Sequence, residues 1–412
     1  MNTIERFLRY IAVETASDEE SGLHPSTSGQ FDLAKMLVTE LLKMGISRDD
    51  LFFDEEHCYI YARIRSNTDK KVPAIGFIAH MDTSPEASGK DVRPQFVFDY
   101  DGSDIDLKNG KVLSPDIFPE LLLYKGQTLI TTDGCTLLGA DDKAGIAEIM
   151  AMADFFIENT AAEHGDICIA FTPDEEIGEG TEFFDIDRFG ADYAYTVDGG
   201  ILGEISYENF NAAGATVTVR GCNVHPGEAK DKMINSQRLA MEIDHMLPDS
   251  ERPETTKDRE GFFHLCSISG DVNETVMKYI IRDHDKEKFE EKKTRLKNIC
   301  KLISSKHPGA DIDADISDTY YNMIDKIAPD HMYIVDNCKR AMKACGIDPI
   351  DVPVRGGTDG AMLSYKGLMC PNICAGGHNF HGIYEYISAE SMERIAELLV
   401  ETVRDAVPYG DS

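Results

Sequence analysis

No uncharged apolar run in this 412-residue chain approaches the length that a membrane-spanning helix needs. The N-terminal segment, residues 1–15, also lacks the unbroken apolar core of a secretory signal, because Glu5, Arg6 and Arg9 punctuate it. Cytoplasmic residence, with no membrane partner, is the expectation. Basic charge is scarce too: 41 Lys and Arg stand against 74 Asp and Glu, for a formal net charge of −33. Such a surface repels a phosphate backbone, so nucleic acid is not an expected partner. Paired cysteines are also missing. Ten are scattered along the chain, and the Cys370–Cys374 spacing has no second pair with which to complete a metal site. In a reducing compartment they are expected to behave as small buried hydrophobes.

What the chain does contain is ample material for a core. Hydrophobic residues make up 42% and charged residues 28%, which fits an ordinary soluble globular protein. The length exceeds what one core usually organises, so two domains are expected.

Periodicity supplies the element order. Ile4, Phe7, Leu8 and Ile11 recur at helical spacing. A second helix follows Ser26, Thr27 and Ser28, with Phe31, Leu33, Ala34, Leu37, Leu41 and Leu42 on one side, and stops at Gly45. Residues 58–64 and the short apolar run 73–79 read as strands, the latter of the kind buried on both faces. Residues 91–126, rich in Gly, Pro and Asp, read as a long irregular insertion. A helix after Asp142 and strands at 166–171 and 193–197 complete an alternation that argues for an α/β sandwich. Residues 212–316 then read strand, helix, strand, strand, helix, strand, the split βαβ order of ferredoxin-like domains. A helix at 330–345, a strand at 368–375 and a helix at 389–406 follow. The expected organisation is a first catalytic part over 1–207, an inserted domain over 208–320 and a second catalytic part over 321–412.

Short polar motifs follow the apolar strands, and in α/β sheets ligands bind beyond the carboxyl ends of strands. His80-Met81-Asp82 follows the strand at 73–79; residues two apart in an extended chain point the same way, so Asp82 could orient a ligating His80. In Gly139-Ala140-Asp141-Asp142-Lys143-Ala144-Gly145, Asp142 reads as a helix cap, while Asp141, ahead of the helix, is the better candidate to bridge two cations. Thr172-Pro173-Asp174-Glu175-Glu176-Ile177-Gly178 gathers three acids at a strand end. Charges so crowded raise a pKa or call for a cation, although a solvated acidic turn would also explain this motif alone. One adjacent glutamate could bind a metal while the other accepts a proton. Val197-Asp198-Gly199-Gly200 adds another acid, with glycines that let backbone approach a ligand. Gly376-Gly377-His378-Asn379-Phe380-His381-Gly382 offers His381, with His378 as the alternative. Two imidazoles with several carboxylates form a nitrogen and oxygen set suited to Zn²⁺.

These motifs resemble those of the dinuclear-zinc metallopeptidases, a group that includes carboxypeptidase G-type enzymes and succinyl-diaminopimelate desuccinylase. Further blocks narrow the resemblance to the peptidase T family, nearly end to end: Thr131-Thr132-Asp133-Gly134, Asn223-Val224-His225-Pro226-Gly227, Tyr279-Ile280-Ile281-Arg282-Asp283 and Arg355-Gly356-Gly357-Thr358-Asp359-Gly360. The resemblance implies an α/β/α zinc-peptidase sandwich with an inserted ferredoxin-like lid, and removal of the N-terminal residue from tripeptides. It implies two Zn²⁺ per subunit: His80 and Asp198 on one, Glu176 and His381 on the other, and Asp141 bridging, with a cis bond between Asp141 and Asp142. Asp82 would support His80 and Glu175 would be the general base. His225 is implied as a carbonyl-binding group, in the same subunit or across a homodimer; a surface turn histidine ahead of Pro226 is the equal alternative. Arg282 and Arg355 are candidates for the substrate carboxylate, or else salt-bridge arginines. Other hydrolases of the group, namely dipeptidases, carboxypeptidases and N-acyl-amino-acid deacylases, share such ligands, and a non-catalytic peptide- or metal-binding protein is the rival of a different class.

Overall fold

The apolar runs form the middle of an eight-stranded sheet in the computed structural model, which describes residues 1–407. Across the sheet the strands are Leu51–Phe53, Ile60–Ile64, Ile167–Thr172, Ile75–His80, Tyr193–Gly199, Asn372–Cys374, Glu204–Ser206 and Ile350–Asp351. The central four are mutually parallel. Every residue of Ile75–His80 and Ile167–Thr172 is buried, which is why those segments read as continuous apolar runs rather than alternating ones. Helix Ala140–Glu158 packs on Ile75–His80 and Tyr193–Gly199 and is itself backed by Thr3–Tyr10 and Ala389–Asp405. Gly145 permits the close approach: a Cβ there would lie 2.0 Å from the Val197 carbonyl oxygen. A separate cluster built around Tyr61, Ile78, Ala170, Phe184 and Leu363 covers other side chains of the same sheet. Ile78 and Leu363, fully buried there, contribute roughly 1.5–3 kcal/mol each. This is the α/β sandwich.

Helix Ser28–Met44 ends where the sequence says it should, at Gly45 in the left-handed conformation with φ 117°. The insertion does not conform to its reading as irregular chain. Residues 91–126 contain the strands Gln95–Val97, Ile105–Leu107 and Lys111–Leu113 and a 3₁₀ segment, Pro119–Tyr124. Tyr100, Leu107, Leu113, Leu121 and Tyr124 form a small core there with Leu129 and Tyr386. The strands are three residues long, too short for a period to register in the sequence.

Two compact units account for the chain. One comprises Met1–Tyr207, Lys326–Val352 and the chain from Thr358; the other comprises Glu208–Asp325 with Pro353–Gly357. The second unit thus runs past the boundary read at residue 320 and takes in a short distant segment, because Val354 donates its N–H to the Glu208 carbonyl at 2.9 Å. Within this unit the sheet order is Phe262–Gly270, Glu274–Asp283, Asn211–Arg220, Asp311–Tyr320, all antiparallel. Helices Ser236–His245 and Lys286–Lys306 supply Leu239, Ile243, Phe289, Leu296 and Ile303 to a core with Val217, Val219, Met277 and Ile281. That is the ferredoxin-like βαββαβ arrangement. The cysteines are only partly as expected: Cys58, Cys168, Cys300, Cys338, Cys370 and Cys374 are buried, but Cys135, Cys222 and Cys266 are exposed. Among the described residues, no helix is long and apolar enough to cross a membrane.

Candidate metal centre

The site grows from the carboxyl ends of the parallel strands. His80 closes its strand and pairs in register with Thr172, so the turn that follows Thr172 begins beside it. Asp82 ties the two together. Its Oδ1 accepts the N–H of Glu175 at 3.0 Å and its Oδ2 that of Glu176 at 3.1 Å. Oδ1 also lies 3.2 Å from His80 Nδ1, and the Asp82 carbonyl lies 3.1 Å from the same nitrogen. Asp82 is fully buried. It therefore fixes one imidazole and the backbone of both glutamates at once.

Asp141 lies at the start of the helix Ala140–Glu158, with non-helical backbone, and the bond to Asp142 is cis. One carboxylate oxygen, Oδ1, is 2.9 Å from His80 Nε2; the other, Oδ2, is 3.2 Å from His381 Nε2. Asp198 Oδ1 lies 3.6 Å from His80 Nε2, and Glu176 Oε2 lies 2.9 Å from His381 Nε2. Two sets of three potential ligands result, His80–Asp141–Asp198 and Asp141–Glu176–His381, each with its donor atoms within 4.8 Å of one another. Asp198 reaches this position because its strand shifts register against Asn372–Cys374, and Gly199 tolerates the contact: a Cβ there would lie 2.8 Å from the Ile373 carbonyl oxygen. His381 sits at φ 62°, in the left-handed region that non-glycine residues adopt infrequently.

His378 takes a different course. It is buried, its Nε2 pairs with the Tyr124 hydroxyl at 2.5 Å, and its ring stacks on Tyr386 with centroids 4.7 Å apart. Of the two histidines, only His381 meets the acids. Asp142, read as a cap, accepts the N–H of Gly145 at 3.2 Å and also that of His80 at 3.2 Å.

Electrostatics reflect the crowding. Burial disfavours a charged His80, but Asp141 and Asp198 outweigh it and hold the imidazole well above its usual range. Hydrogen bonds to Asp141 and Glu176 raise His381 to about 11. Burial, reinforced by Asp141, lifts Asp198 to about 7. Burial and the charge of Asp198 push Glu175 well above the ordinary carboxylate range. Asp141 goes the other way: burial opposes its charge, yet the two histidines hold it low. The residues present fit divalent cations. The donors are imidazole nitrogen and carboxylate oxygen, and Glu176 Oε1 is buried with no hydrogen-bond partner among the described residues.

Two buried acids that carry no separate reading in the sequence brace the site. Asp174, at φ 54°, accepts from Ser26 N at 2.7 Å, Ser26 Oγ at 2.5 Å and Gln30 Nε2 at 2.6 Å, which pins the turn bearing Glu175 and Glu176 to the start of the second helix. Glu385 accepts the N–H groups of Leu138, Gly139, Ala140 and Asp141. The available signal was an isolated acid inside the apolar run 383–387.

Three residues singled out in the sequence lie in the second unit. His225 is exposed in a loop and its Nδ1 accepts the N–H of Gly227 at 3.2 Å. Arg282 is half-buried; Nη1 donates to the Arg355 carbonyl at 2.9 Å, and Nε has no hydrogen-bond partner among the described residues. Arg355 lies over Phe210 and Phe262 and donates to the carbonyls of Asp258 and Glu260 and to Thr256 Oγ1.

Residues 132–405 match the family described as Peptidase family M20/M25/M40. The chain is 54% identical over 406 residues to a peptidase T of Alkaliphilus oremlandii (strain OhILAs), covering 98% of each. The chain belongs to the M20/M25/M40 peptidases, in the peptidase T family. A peptidase T of Geobacillus thermodenitrificans (strain NG80-2) is also 54% identical, over 403 residues and 97% of each chain. Solved structures share the fold of this M20 peptidase. Aminopeptidase PepT from Bacillus cereus ATCC 10987 superposes with a TM-score of 0.77 at 22% identity over 98% of both chains. The Bacillus subtilis YXEP protein, a dinuclear metal binding peptidase from the M20 family, does so at 0.66 and 14% identity, over 99% of this chain and 98% of its own.

Proposed function

We propose that this peptidase removes the N-terminal residue from tripeptides, with two zinc ions and Glu175 as general base. The observation that carries the metal reading is the split of Asp141, one oxygen toward His80 and the other toward His381. The relationship to peptidase T supports the substrate class. His80 and Asp198 would hold one ion, Glu176 and His381 the other, with Asp141 shared. Bound there, the ions would polarise the scissile carbonyl and lower the pKa of a water molecule.

The chain's own residues do the rest. Burial and the charge of Asp198 raise the proton affinity of Glu175 above that of a free carboxylate, and its carboxylate is the proposed acceptor of the proton of the attacking water, which it returns to the departing amine. Asp82 supplies the aim, holding the Glu175 backbone by its N–H. In the second unit, Arg282 is the proposed anchor for the peptide's terminal carboxylate, with an uncommitted Nε, whereas the donors of Arg355 serve the 256–260 turn. His225 is proposed to meet the reacting carbonyl; sedimentation of the loaded protein tests whether a second copy supplies it.

The deciding experiment is hydrolysis of Ala-Ala-Ala, Ala-Ala, an N-blocked tripeptide and an acyl-amino acid, each with and without a chelator. The reading requires cleavage of the free tripeptide, release of its N-terminal residue and loss of activity with chelator. Preference for the blocked peptide or the acyl-amino acid would move the protein to another activity of the family.

A further inference from the structure

The backbone at Asp141 and Asp142, near the start of helix Ala140–Glu158, is non-helical, and leading into it residues 138–141 present four consecutive N–H groups. Here one side chain gathers them. Glu385 Oε2 accepts from Leu138 at 2.6 Å and Gly139 at 2.9 Å, and Oε1 accepts from Ala140 at 2.7 Å and Asp141 at 3.2 Å. Glu385 is 1% exposed. Two donors on each oxygen leave the carboxylate no room for a further partner, so its position and that of residues 138–141 define each other.

The location of Glu385 matters more than the number of its bonds. It stands four residues after His381 in a turn that is itself held: its N–H donates to the Gly382 carbonyl at 3.2 Å, and Thr132 Oγ1 donates to the Ile383 carbonyl at 2.6 Å. A single short segment, 381–385, thus presents His381 at one end and grips the backbone of Asp141 at the other. The His381 and Asp141 side chains meet at 3.2 Å. From this geometry we infer that Glu385 is a positioning residue. It sets the orientation of the Asp141 carboxylate, so that one oxygen addresses the His80 side and the other the His381 side. A carboxylate that bridges two ions must satisfy both directions at once, so a small rotation of residues 138–141 would degrade one side or the other. The inference rests on the metal-centre reading of the preceding subsection. A purely structural carboxylate would lend stability to the helix start and nothing to metal binding.

The test uses the full chain, stripped of metal and titrated with zinc against a chromogenic chelator, as wild type and as Glu385→Gln. The amide keeps the shape but turns one end of the side chain from acceptor to donor, so two of the four N–H groups lose their partner. Wild type should take up two zinc ions per chain. Glu385→Gln should bind at least one of them roughly tenfold to a hundredfold more weakly, the usual consequence of disturbing a group that orients a metal ligand. Its cobalt-loaded form should show an altered visible absorption spectrum, and kcat should fall while KM for Ala-Ala-Ala stays within about twofold. Wild-type zinc affinity and kcat in Glu385→Gln, with only the melting temperature of the metal-free protein lowered, would overturn the inference. If Glu385→Gln does not fold, Glu385→Asp, which keeps the charge and draws it back by one methylene, is read by the same criteria. A wild-type chain that takes up no zinc would overturn the metal reading itself, which distinguishes that failure from failure of the inference.

Discussion

Glu175→Gln isolates the chemistry from the scaffold. The backbone of Glu175 is held by its own N–H to Asp82, which the substitution leaves in place, and its side chain belongs to no cluster of three potential ligand groups among the described residues. Glutamine is nearly isosteric and uncharged, so it introduces no new charge into the site. The proposed ligands His80, Asp141, Glu176, Asp198 and His381 are untouched, and two zinc ions should remain. What disappears is the capacity to accept a proton. Losing a general base costs roughly a hundredfold to ten-thousandfold in rate, or about 3–5 kcal/mol of barrier. The assay is release of the N-terminal residue from Ala-Ala-Ala under saturation, with zinc content measured by elemental analysis on the same sample. Turnover within about tenfold of wild type in a zinc-replete variant would refute the role of Glu175. Loss of zinc together with turnover would show that Glu175 serves the ligand set.

Further expectations follow from the same geometry. Asp82→Asn swaps one acceptor oxygen for an NH₂ group facing a backbone N–H; weaker zinc binding and a fall in kcat of about tenfold or more are expected, read by chelator competition and kinetics. Arg282→Lys should raise KM for Ala-Ala-Ala more than for its C-terminal amide, and equal effects on both would contradict the anchor role. His284 gives a pH signature. It is buried, stacked on Phe210 with centroids 4.3 Å apart, and both ring nitrogens lack hydrogen-bond partners among the described residues. Burial holds its pKa at about 4, below the usual 6.5. The unfolded chain therefore takes up this proton first as the pH falls. The associated stability is intact above pH 6.5 and is lost between 6.5 and 4, about 3 kcal/mol in all. His284→Phe should unfold with a flatter pH dependence across that window, and parallel curves for the two proteins would contradict the assignment.

Much of the architecture was legible because its strongest signals are long or doubly buried. Ile75–His80 and Ile167–Thr172 are apolar throughout, since both faces of the parallel sheet are covered. The second unit announced itself by long strands such as Asn211–Arg220, whose burial alternates. The metal-centre candidates were legible from their place after such strands, a consequence of topology rather than of local pattern. Asp174 and Glu385 were not, because Glu385 acts through four backbone N–H groups and Asp174 through donors on Ser26 and Gln30, nearly 150 residues away, and nothing in a sequence marks which donors will converge on an acid. The small strands of the insertion escaped for want of length. The commitment of Arg355 to the 256–260 turn depends on chain segments nearly a hundred residues apart, which no spacing argument reaches.

The central claim is that Asp141 lies between two metal ions. The most direct measurement is an anomalous difference map from crystals of the zinc-loaded protein, collected on both sides of the zinc absorption edge. Two peaks are predicted, one in contact with His80 and Asp198, the other with Glu176 and His381, and both touching Asp141. No peak, or peaks that leave Asp141 uncoordinated, would contradict the account.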